Sequence, residues 1–122
     1  MAFTKTVTSV LSNATAAAGG STSLSTEVDT TDFINLAVEV KLTFNASATL
    51  GARIKAFACN SSGGTYDTYP FWQADIARAS GAQGQSFQLP SGPKYVEFLV
   101  TNLDGTYSIT AITIYVHDQT VS

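Results

Sequence analysis

Between Phe33 and Phe44 the chain alternates with a period of two. Ile34, Leu36, Val38, Val40, Leu42 and Phe44 are apolar, and Asn35, Ala37, Glu39, Lys41 and Thr43 lie between them. Successive side chains of a strand point to opposite faces, so the pattern predicts a strand with one face on a core and the other in water. On a helix the same residues would spread round the whole circumference. Thr49 to Cys59 repeats the alternation after a turn at Asn45–Ser47. A hairpin register that sets Val40 against Ile54 inside also sets Glu39 against Lys55 outside, a favourable cross-strand pair.

Lys94 to Leu103 alternates again, with Val96, Phe98 and Val100 on one face, and Asp104-Gly105 reads as a two-residue hairpin turn. Beyond it the parity changes, from Tyr107 and Ile109 to Ile112, Ile114 and Val116. A one-residue slip would turn every side chain to the wrong face, so a β-bulge is predicted near Thr110 and Ala111.

The other segments carry weaker patterns. Residues 1–20 read as an N-terminal strand or arm, with Phe3 to Ser12 extended and Ala16 to Gly20 a small-residue linker. Residues 21–122 read as the body, from which the arm is expected to be removable without unfolding. Ser21 to Val28 is predicted as a strand anchored by Leu24 and Val28, and Asp29 to Asp32 as a turn. Asn60 to Thr65 is a loop, and Pro70 makes Tyr66 to Trp72 an edge strand or an irregular crossing. Gln73 to Gln85 is expected to hold one helical turn around Asp75 to Ala79, and Ser86 to Leu89 a short strand. Short strands separated by Gly, Pro and Asn turns predict an all-β chain. The architecture expected is an antiparallel β-sandwich of about seven to eight strands, of jelly-roll or Greek-key type.

The 122 residues suit one domain. Charged residues make up 12% of the chain, about half the usual ~25%. Depletion of charge marks surfaces that pack against other subunits, so composition points to an assembling protein, a homo-oligomer among other subunits. The net charge is −3 and the six basic residues are scattered, which argues against nucleic-acid binding. Thr, Lys and Ser interrupt Met1 to Leu11, so no signal peptide is expected, and no apolar run reaches the ~20 residues of a membrane span.

Candidate chemistry is sparse. His117 is the single histidine and Cys59 the single cysteine. A nucleophile–base pair, a zinc ligand set and a phosphate-cradling loop are all lacking in the pattern, and no enzyme, metal or cofactor is expected. The densest cluster is Tyr66, Tyr69, Phe71 and Trp72, with Asp67 and Thr68 beside it. Aromatic rings anchor cores, protein interfaces and sugars alike, and all three settings stay open here. A second candidate is the outer face of the last predicted hairpin, where Tyr95, Glu97, Leu99, Thr113 and Tyr115 make a greasy surface.

The order of segments carries a likeness. A Ser/Thr-rich start is followed by Ser25-Thr-Glu-Val-Asp-Thr-Thr-Asp-Phe33 and then by Ile34-Asn-Leu-Ala-Val-Glu-Val-Lys-Leu42. Asn60-Ser-Ser-Gly-Gly-Thr-Tyr-Asp67, Pro93-Lys-Tyr-Val-Glu-Phe98 and Asn102-Leu-Asp-Gly105 come after. In this pattern the chain resembles the small β-sandwich virion proteins of tailed bacteriophages, which decorate capsids or sit in tails and fibres. The resemblance implies a non-enzymatic structural subunit of a phage particle, most simply a capsid decoration and stabilisation protein, assembled in the host cytoplasm into the virion. The alternatives are a tail or fibre component, or a carbohydrate-binding module that uses Tyr66, Tyr69 and Trp72 on a host-surface glycan.

Overall fold

A computed structural model describes residues 2–90 and 92–121. Its eight strands are β1 (Phe3–Ala16), β2 (Val28–Asp29), β3 (Phe33–Phe44), β4 (Ala52–Cys59), β5 (Trp72–Ile76), β6 (Gly81–Gln88), β7 (Tyr95–Asn102) and β8 (Ile109–Val121). They form two four-stranded antiparallel sheets, in the orders β1-β8-β3-β6 (sheet A) and β2-β7-β4-β5 (sheet B). Apart from β4 and β5, consecutive strands lie in opposite sheets, which is the strand order of a jelly roll.

The alternation read from the sequence is what fills the interior. Val38, Val40 and Leu42 of β3, Ile54 and Ala56 of β4, Val96, Phe98 and Val100 of β7, and Ile112, Ile114 and Val116 of β8 are all buried in one core. The pairing expected between residues 33–44 and 49–59 is not formed. β3 pairs with β6 and β8, whereas β4 pairs with β5 and β7, so Val40 and Ile54 belong to the same core from opposite sheets. Glu39 lies beside Tyr115 and Ser86, and Lys55 beside Leu99 and Gln73. The same correction applies to the last predicted hairpin: β7 and β8 lie in different sheets, joined by a crossover through Asp104-Gly105.

The predicted bulge is present. On β8, Thr113 lies opposite Lys41 but Thr110 opposite Thr43, and Ala111 has φ of 53°. A second irregularity corrects Ile34. Phe33 pairs with Thr120 and Asn35 with Gln119, so the register slips across Ile34. Phe33 packs on the core and Ile34 turns out, 49% exposed. Leu24 is also exposed. The segment around it is held to β7 by Thr22 and Ser25, whose hydroxyls accept the N–H groups of Val100 (3.1 Å) and Phe98 (2.9 Å). The helical turn expected at Asp75–Ala79 gives way to β5 and the start of the approach to β6, an edge strand in each sheet.

The segment predicted as a strand or arm is β1, which pairs along its length with β8. Val10 and Ala16 lie in the core, so removing residues 1–18 would uncover β8 rather than trim an appendage. At the end of the sandwich where β1 turns back, three crossovers meet. Asn102 Nδ2 donates to the carbonyls of Ala16, Ala17 and Tyr107. The Asp104 carboxylate accepts the N–H groups of Thr49 (2.8 Å), Leu50 (3.3 Å), Thr106 (2.8 Å) and Tyr107 (3.0 Å). Gly51 completes this junction: a Cβ there would lie 2.1 Å from the carbonyl oxygen of Ile76, so only glycine lets the chain pass β5 so closely.

Candidate functional site

Loop 60–71 folds back over the outer face of sheet B. Asp67 N–H donates to Ala58 O and Phe71 N–H to Ala56 O, both at 3.0 Å, which lays the loop along β4. Cys59 is buried beneath it with Sγ 3.1 Å from Ser61 O. The opposite wall comes from the segment before β2. Glu27 reaches across and accepts hydrogen bonds from Ser62 Oγ (2.9 Å), Gly63 N (3.1 Å) and Tyr66 Oη (2.7 Å).

Between the two walls lies a groove of about 510 Å³ lined by Leu24, Phe57, Gly63, Gly64, Tyr66, Asp67, Glu97 and Leu99. Phe57 and Leu99 form an apolar floor because they are the outward positions of β4 and β7, opposite to buried Ala56 and Phe98. Three carboxylates surround this floor. The Tyr66 hydroxyl and then the Gly63 amide hold the Glu27 carboxyl below its ordinary range. Glu97 goes the other way: burial, and then the charge of Glu27, push its pKa up. Burial and the hydrogen bond to Glu27 push the Tyr66 phenol far above its usual value, so it stays a donor. Among the described residues no cation lies within 4 Å of Glu27 or Glu97. The groove is therefore apolar at its base and electronegative at its rim, suited to a ligand that is greasy and carries a positive charge.

The clamp makes one local prediction. Tyr66→Phe removes the donor that does most to hold Glu27. Hydrogen exchange at Gly63 is expected to quicken about tenfold, with the melting temperature of the whole domain changing by no more than a few degrees, since loops open independently of the core. Exchange and nuclear magnetic resonance on the two proteins would check it.

The predicted site residues separate. Tyr66 and Asp67 line the groove. Tyr95 shares the outer face of sheet B but sits at the far end of β7, with Lys94 Nζ 5.2 Å from its ring centre. Phe71 and Trp72 turn toward the core, and Trp72 meets Phe87 edge-on at 5.5 Å. Tyr69 stands alone on the loop, 82% exposed. Tyr115 lies on the outer face of sheet A, across the sandwich, 5.8 Å from Lys41 Nζ. The sequence reading missed Leu24, Glu27 and Phe57. Phe57 was legible as an outward apolar position of a strand, but nothing local marked Glu27.

A second surface is exposed at the end of sheet A where β1 and β3 begin and β8 ends. Phe3 (61% exposed) pairs with Val121 (39%), and Val7 (57%) pairs with His117. Phe3, Lys5 and Val7 share the outer face with Gln119 and Tyr115, since Ile114 and Val116 point inward. His117 Nε2 is 3.1 Å from Glu39 Oε1 on that face. The free edge of β1 is covered only from Val10, whose carbonyl accepts Thr26 N–H at 2.9 Å. Among the described residues, nothing pairs with that edge from Phe3 to Ser9. No group of three or more His, Cys, Asp or Glu among the described residues is placed to hold a metal ion.

No family model matches the chain, and no curated protein matches it. Solved structures share its fold. Dimeric latent PorU from Porphyromonas gingivalis superposes with a TM-score of 0.57 at 9% identity, over 98% of this chain and 13% of that one. The K1 cleaved adhesin domain of Lys-gingipain from the same organism gives 0.55 at 12% identity, over 85% of this chain and 72% of that one. A protein of the Bacillus endospore appendages, a family of disulfide-linked pili, gives 0.52 at 12% identity, over 98% and 89%. This chain thus spans a small part of PorU and most of the other two, and the likeness is one of fold: an all-β, two-sheet sandwich.

Proposed function

We propose that this chain is a non-enzymatic structural subunit that works by burying surface against its neighbours, and that its setting is a bacteriophage particle, where it decorates and stabilises the capsid. A tail or fibre position would use the same surfaces. A subunit that binds only the assembled shell stabilises it by mass action.

One observation carries the reading: the apolar end of sheet A. Phe3, Val7, Ile34 and Val121 are all exposed there, next to an uncovered stretch of strand edge. Large apolar side chains gathered at one end, on a chain poor in charge, are the surface of a protein that packs against others. Open strand edges also invite pairing, and monomeric proteins usually blunt them. The alternative, a carbohydrate-binding module, draws on the Tyr66 groove. The platform it needs is dispersed, because Tyr69 and Trp72 stand away from Tyr66 on different surroundings.

Light scattering and a glycan array separate the two. The expected result is a mass that climbs with concentration above the 12.8 kDa of one chain, with no glycan bound. A mass fixed at one chain, together with glycan binding that Tyr66→Ala abolishes, would make the protein a sugar reader instead.

A further inference from the structure

The two exposed surfaces are chemically complementary. On the tip of β1, one outward face presents Phe3, Lys5 and Val7 in sequence, an apolar–cation–apolar row about 13 Å long at the usual strand rise. Among the described residues no carboxylate lies within 4 Å of Lys5. The groove on sheet B offers the converse: an apolar floor of Phe57 and Leu99, with Glu97 and Glu27 beside it. Among the described residues no cation lies within 4 Å of either carboxylate, and Lys55, opposite Leu99 on β4, makes no ion pair with them. Each surface holds what the other lacks. They lie on opposite sheets, so one molecule cannot join them.

We infer that the β1 tip of one copy docks in the sheet B groove of a second copy, with Phe3 and Val7 on the apolar floor and Lys5 against Glu97. This deepens the structural reading above and rests on it. The partly buried Glu97 gains the most, because a carboxylate set in an apolar surface beside a second one is costly until a cation meets it. The contact is heterologous. A joined pair still has one free tip and one free groove, so subunits add head to tail into a ring or a filament. A single strand face buries less than the ~800 Å² per partner of a standard interface, so each contact is weak and assembly depends on concentration or on a particle surface that gathers the subunits.

Charge reversal tests the pairing on the full chain. Lys5→Glu spoils the tip and leaves the groove; Glu97→Lys does the reverse. By light scattering each variant alone is expected to fall to the mass of one chain. An equimolar mixture is expected to regain large assemblies in which the two variants alternate, because the tip of E97K suits the groove of K5E and the reversed tip of K5E suits the reversed groove of E97K. The chain with both reversals regains the behaviour of the starting protein. Circular dichroism checks folding. If E97K unfolds, Glu97→Gln takes its place and must lower the mass at a given concentration. Assemblies of full size in both single variants overturn the docking while leaving the structural reading in place. Assembly disturbed by K5E and indifferent to E97K also overturns it, and marks edge-to-edge pairing of two β1 strands. A starting protein that stays a single chain at every concentration overturns both the docking and self-assembly.

Discussion

Replacing Asn102 by alanine is expected to cost the domain roughly 3–5 kcal/mol, the sum of several buried polar groups left without partners. Asn102 is 1% exposed, and its amide donates to three carbonyls: Ala16 and Ala17 at 3.3 Å and Tyr107 at 2.7 Å. Its Oδ1 accepts Asp104 N–H at 3.0 Å. Those groups lie at the end of β1, in the connection to β2 and in the β7–β8 crossover, which are otherwise joined by the backbone bonds Gly19 N–H to Asp104 O (2.7 Å) and Asn102 N–H to Gly20 O (2.8 Å). Alanine offers none of them a partner, and the space it leaves is closed to water on the core side. For a domain of this size the melting temperature should drop by roughly 10–20 °C. Calorimetry would show it, and a drop of less than a few degrees would mean that ladder pairing alone holds the closed end.

The neighbouring Asp104 ties the same junction to pH. Backbone N–H donors, that of Thr49 foremost, hold its carboxyl far below the ordinary range. A carboxyl with a depressed folded pKa adds stability that is complete above its unfolded value, about 3.9, and that is lost as the pH falls below it. Acid should therefore weaken the starting protein below about pH 4, and Asp104→Asn should flatten that decline. Asp118 and Glu97, whose pKa values burial raises, act in the opposite sense and at higher pH, whereas Glu27, Asp29 and Asp75, also held low, act in the same sense. The Asp104 contribution is therefore read as the difference between the starting protein and Asp104→Asn in the acid limb.

Alternation was the part of this fold written plainly in the sequence. β3, β4, β7 and β8 each see core on one side and solvent on the other, and residues 33–44, 52–59, 95–102 and 109–116 record it. What alternation does not record is which strand lies beside which. The same inward faces satisfy a hairpin between β3 and β4 and a crossover that sets them in opposite sheets. Asp104-Gly105 is a case in point. It is a genuine turn signal, but the Asp104 side chain gathers donors from two crossovers, a role indistinguishable in sequence from a tight hairpin turn. β6 was read only at its end, as a short strand over Ser86 to Leu89, for the opposite reason: Gly81-Ala-Gln-Gly-Gln-Ser-Phe-Gln88 is an edge strand with Phe87 as its one large apolar side chain, so its pattern is nearly blank. The groove was half legible. Tyr66 and Asp67 stood out as an aromatic loop, whereas Glu27 and Leu24 come from a distant segment that only the β2–β7 pairing brings alongside.

Adjacent residues on β7 should separate folding from surface function. Phe98 is fully buried and Leu99 faces the groove. Phe98→Ala removes a large, fully buried side chain from the core shared by the two sheets, and a close-packed interior relaxes only partly into the space left. The expected loss is about 3–5 kcal/mol, transfer and cavity costs together. Leu99→Ala takes away area that is only partly covered, and should stay within about 1 kcal/mol of the starting protein. Denaturant titrations of the pair give the contrast directly. Similar losses at both positions would mean that the outer face of sheet B is held by intramolecular packing. A large loss at Phe98 and a small one at Leu99 would mean that the apolar floor of the groove is spare to the fold, and that its exposure to water is a cost the chain carries for a partner.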